Sequence, residues 1–158
     1  MAMDKKLSLS IRLELVWWMA TALLLAAVLF PIYKTRADYH FWTPNILFVL
    51  VFVTFTRYIF LLKHTFLARL QWAKVAVIIM CIPLFIYLIK VMHLFQLYLD
   101  QIGLQDMFAH LSYNGQIHMT SYVQAEMLFF GAASIIVTII LPFRMLISYW
   151  RTLNRGTV

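Results

Sequence analysis

A chain of 158 residues that is 64% hydrophobic, 16% aromatic and only 12% charged lies far from the composition of a soluble domain, where charged residues make up about a quarter. That balance leaves no room for a large water-facing catalytic domain, and a single cysteine, Cys81, excludes an intrachain disulfide. The net charge of +7 is not gathered into a soluble basic domain, so no nucleic-acid partner is expected.

Met1 to Ser10 is a polar, lysine-bearing head, and the first apolar run follows over 11–33. Ala26 and Ala27 lie mid-run, not after it as a small-residue cleavage site would, so this run reads as a retained helix. A short polar link leads to a second run over 44–63, where Thr43 can cap the helix and Pro44 suits its first position. The third run, 72–99, contains Pro83, Lys90 and His93 and is too long for a soluble core helix. At about 1.5 Å per residue these runs match the roughly 30 Å of a bilayer's hydrocarbon core.

After Leu99 the pattern changes. Leu99, Ile102, Phe108 and Leu111 alternate with Asp100, Gln101, Gln105 and Asp106, which predicts a short amphipathic helix over 100–112 lying in the membrane interface. Asn114-Gly115 is a turn signal, and a fourth run spans 119–150 with Pro142 placed to kink it. The expected fold is an all-α integral membrane four-helix bundle, a single domain over 1–158 whose short loops make neighbouring spans antiparallel.

Orientation follows from lysine and arginine, which concentrate in short cytoplasmic loops. Lys5, Lys6 and Arg12 flank the start, Lys63, Arg69 and Lys74 flank the second link, and Arg151 and Arg155 follow the last span. Against these eight stand Lys34 and Arg36 in the first link and none over 100–122. Both termini are therefore expected in the cytoplasm, with a cationic inner surface suited to anionic lipid headgroups. The bacterial inner membrane is the expected address.

Ionisable residues within the spans are costly in hydrocarbon and carry what functional signal there is. Glu14, Arg57 and Arg144 share an inner-leaflet depth and are expected to form a charge clasp that sets helix register. Lys90, His93 and Glu126 share an outer-leaflet depth with Asn45 at the top of span two. These three form the candidate intramembrane polar site, either a static ion pair between spans three and four or a proton relay. Gly131, Ala132 and Ser134 make a candidate helix-packing face, since small residues let backbones approach.

The histidines show no tight ligand spacing, so no metal site is expected, and a haem held by facing histidines does not fit their depths. No nucleophile elbow, phosphate-cradling loop or zinc-protease motif is present, so neither an enzyme nor a cofactor is expected. Two functional expectations follow. The first is a non-enzymatic subunit or assembly partner of a larger membrane complex. The second is a homo-oligomeric ion or proton channel, or a proton-coupled small-solute carrier.

Overall fold

The computed structural model describes residues 2–62, 65, 67 and 70–154. Four helices account for most of them: α1 (Ala2–Lys34), α2 (Trp42–Leu61), α3 (Gln71–Gln101) and α4 (Tyr113–Leu153). No strand occurs among the described residues. Each helix is long and apolar enough to cross a membrane, which makes this a multi-pass membrane protein. Of the cations behind the expected orientation, Lys63, Arg69 and Arg155 lie outside the described residues, as does His64.

Helix ends depart from the expected boundaries for local reasons. Helix α1 starts nine residues early, because the head holds leucine, lysine and alanine and nothing that breaks a helix. Helix α2 starts at Trp42 with Phe41 as its N-cap, so Thr43 is not the cap. The Asn45 amide makes the first helical bond, to the Phe41 carbonyl at 3.0 Å, and Pro44 sits inside the first turn where no N–H is required. Helix α4 starts at Tyr113, and Asn114-Gly115 falls in its first turn. The Gln116 side chain anchors that start by donating to the Ala109 and Leu111 carbonyls at 3.2 and 2.9 Å. Farther on, the helix runs through Pro142 without a break.

Helix α3 stops where Gly103 takes φ +80°, and the amides of Ile102 and Gly103 both donate to the Tyr98 carbonyl at 3.0 Å. The link beyond holds one 3-10 turn, Asp106–Phe108, in place of the helix expected over 100–112. Its apolar residues Leu104, Met107 and Phe108 are buried in the core. Of the apolar side read from the sequence, Phe108 is thus covered by the bundle, Leu99 and Leu111 are half-buried, and Ile102 stays exposed.

Helix α4 is the centre of the packing, lying against both α2 and α3, while α1 touches mainly α2. Phe48, Leu88, Phe95, Phe108, Val123 and Met127 fill the larger core cluster, and Leu62, Cys81, Leu141 and Met145 a smaller one. Leu23, Phe60, Ile79, Ile82, Phe129 and Phe143 are exposed, as lipid-facing side chains are. At full burial an apolar side chain contributes about 1.5–3 kcal/mol in water. In lipid that drive between helices is lost, and close packing with polar contacts must hold the bundle instead.

Candidate functional site

The polar groups inside the bundle gather at two levels. At the first, Asn45 in the opening turn of α2 is fully buried. Its Nδ2 donates to the Tyr39 hydroxyl at 3.1 Å and to Glu126 Oε2 on α4 at 2.8 Å. Tyr39 belongs to the first link, held over the site by edge-on contacts with Phe41 and Trp42, at 6.2 and 5.3 Å between ring centroids. Burial pushes the Tyr39 phenol above its ordinary pKa, opposed by its bond with Asn45. One turn before Glu126, the Tyr122 hydroxyl donates to the Val28 carbonyl at 2.7 Å, which ties α1 to α4 at this level. The His110 ring donates from Nε2 to the Thr35 carbonyl at 2.6 Å and ties the first link to the third.

Glu126 is only 7% exposed, yet its Oε1 has no hydrogen-bond partner among the described residues, and neither has Asn45 Oδ1. Lys90 and His93 do not reach it. Both are exposed on α3, whose inward stripe is Leu88, Val91, Met92 and Phe95. The structure thus separates the expected trio: Glu126 meets Asn45 and Tyr39, while Lys90 and His93 face outward with Gln96 and Asp100. The sequence places Asn45 at the right depth, but Tyr39 carries no signal there beyond being an aromatic in a short link.

At the second level, Glu14 Oε2 and Arg57 Nη2 form an ion pair. Arg57 is 6% exposed, and its guanidinium also lies over the Trp17 and Tyr58 rings, 5.8 and 5.5 Å from their centroids. Arg144 stands apart from this pair, donating from Nε to the Ile59 carbonyl at 3.1 Å. Lys74, read from sequence as a flanking cation, is 1% exposed between α3 and α4. Its Nζ donates to Gln71 Oε1 at 3.2 Å and Ser148 Oγ at 3.1 Å.

The small-residue face divides. Gly131 and Ser134 are buried, and Ala132 is exposed. A Cβ on Gly131 would lie 2.7 Å from Met92 Sδ and 3.4 Å from Phe48 Cε2, so this glycine lets α2 and α3 of the same chain close on α4. The Ser134 hydroxyl donates to the Gly131 carbonyl at 2.8 Å, satisfying itself within α4.

No protein-family model, curated protein or solved structure matches the chain. Among the described residues no three His, Cys, Asp or Glu side chains gather to hold a metal ion. What the arrangement offers chemically is a buried carboxyl beside an amide and a phenol at one level, cations held by polar partners at the other, and an outward polar stripe on α3.

Proposed function

We propose that the chain is a non-enzymatic subunit or assembly partner of a larger complex in a bacterial inner membrane. Its consecutive spans run antiparallel and both termini lie in the cytoplasm. The observation that carries the reading is the stripe Lys90, His93, Gln96 and Asp100, spaced along one side of α3 and left exposed by the bundle. Lys90 and His93 lie sixteen and nineteen residues, roughly 24 and 28 Å, beyond Lys74, within the depth of a hydrocarbon core of roughly 30 Å, and Gln96 and Asp100 continue the stripe past it. Exposed polar groups at that depth are costly in lipid, and a neighbouring protein that meets them lowers the cost.

The pairings Glu14 with Arg57, Val28 with Tyr122, and Lys74 with Ser148 support the antiparallel order. The excess of lysine and arginine at the ends and in the second link supports the orientation. Anionic headgroups on the cytoplasmic side are the lipid partners this charge suits.

A homo-oligomeric channel or proton-coupled carrier is the second reading, favoured by the buried carboxyl of Glu126. Phe48, Leu88, Phe95 and Met127 fill the bundle's interior, so such a path would run between copies of the chain and not through one. Extraction of the tagged chain in mild detergent, followed by mass determination, separates the readings. Stoichiometric foreign chains support the subunit, and a clean homo-oligomer overturns it in favour of the channel or carrier.

A further inference from the structure

Glu126 sets a problem that its surroundings do not solve in the ionised form. A buried carboxylate is tolerated when a cation or several donors face it, and here the one donor among the described residues is Asn45 Nδ2. The other groups at this level bring no charge to it. From the first link comes the Tyr39 hydroxyl, which accepts the second Asn45 proton, and on α4 itself Tyr122 is engaged with Val28. From α3 come Leu88, Met92 and Phe95, and from the third link Leu104, Met107 and Phe108. The charged and titratable groups of the surrounding elements, Lys34, Arg36, Asp38 and His40 at the first link, Lys90, His93 and Asp100 on α3, Asp106 and His110 in the third link and His118 on α4, are exposed, and the half-buried Tyr98 packs edge-on to Phe41.

Two atoms are left over: Glu126 Oε1 and Asn45 Oδ1, both buried and both acceptors. Each shares its carbon with an atom of the bond already formed, Oε2 with Oε1 and Nδ2 with Oδ1. A proton on Oε1 directed at Oδ1 closes the eight-membered ring of a carboxylic acid paired with an amide, and both orphaned acceptors are satisfied at once. We propose that Glu126 is a proton-binding site, held as the neutral acid at neutral pH in a paired ring with Asn45 that Tyr39 orients. Proton loss leaves two acceptors facing each other around a buried charge, so the contact between α2 and α4 depends on whether the proton is bound.

The full chain in detergent micelles tests this by infrared spectroscopy across a pH series. At neutral pH the wild type is expected to show the carbonyl band of a protonated carboxylic acid, and Glu126→Gln to lack it. The other acids whose side chains are described, Glu14, Asp38, Asp100 and Asp106, are ion-paired or exposed, and the difference between wild type and Glu126→Gln assigns the band to Glu126. Glutamine can make the same ring, donating to Oδ1 and accepting from Nδ2, so the variant is expected to unfold at the wild-type temperature at neutral pH. Unfolded glutamate releases its proton above about pH 4.3, so between there and neutrality the unfolded chain binds fewer protons and wild-type stability falls as the pH rises, a fall that Glu126→Gln is expected to lack. Absence of the band from the wild type at neutral pH overturns the proposal. So does wild-type stability that requires sodium or potassium when choline is the comparison salt, which would assign a bound metal cation to the same two oxygens. If Glu126→Gln does not fold, Asn45→Leu serves instead: it must shift the wild-type band, and an unshifted band refutes the ring.

Discussion

Replacing Glu14 by glutamine probes the clasp between α1 and α2, because it deletes the carboxylate that faces a guanidinium only 6% exposed. Breaking a buried ion pair from one side costs about 3–5 kcal/mol, since the remaining charge stays buried. Two features lower that figure here. The Glu14 side chain is 19% exposed, so its attraction is partly screened, and Arg57 keeps the faces of Trp17 and Tyr58, each worth about 0.5–1 kcal/mol. The expected loss is about 2 kcal/mol, read as a lower midpoint of unfolding when dodecyl sulfate is titrated into mixed micelles. The double variant Glu14→Gln with Arg57→Met is expected to lose less than the sum of the two singles, by about 1–2 kcal/mol of coupling. A Glu14→Gln midpoint equal to wild type, or strictly additive singles, refutes the clasp.

Gly131→Ala places a Cβ 2.7 Å from Met92 Sδ and is expected to cost about 1–2 kcal/mol in the same titration, with Met92→Val restoring part of it. Gly103→Ala meets no atom within 4 Å but must hold φ +80°, so about 1 kcal/mol is expected from backbone strain alone, with no second-site rescue. The Tyr39 phenol is raised by burial, so the neutral form belongs to the folded state. Its contribution is present below about pH 10 and lost as the pH rises through the folded value. Thermal unfolding across alkaline pH is expected to show that loss in wild type and to show it diminished in Tyr39→Phe, which also gives up one hydrogen bond, about 1 kcal/mol.

The four spans were legible because length and apolarity suffice to mark a helix that must cross lipid. The Glu14–Arg57 pair was legible for a related reason: depth along two adjacent spans can be counted in residues, and opposite charges at equal depth find each other. Depth alone misled at Lys90 and Glu126. They match in depth, but contact also needs the rotation of each helix about its axis. On α3 apolar side chains lie on every side, so nothing in the pattern says that Leu88 and Phe95 face inward and Lys90 outward. The same ambiguity hid the burial of Lys74, which counted as a surface cation and lies between α3 and α4. For the stretch 100–112 the alternation gives an apolar side without naming what covers it, and here the bundle covers Leu104, Met107 and Phe108 while Ile102 is exposed.

The measurement that tests the assembly reading most directly compares wild type with the double variant Lys90→Leu, His93→Leu, both extracted from the native membrane in mild detergent and weighed as intact particles. The wild-type particle is expected to exceed the 18.6 kDa of one chain and to contain foreign protein, and the double variant to run as the folded chain without it. A wild-type particle of one chain, or foreign protein retained in full by the double variant, contradicts it.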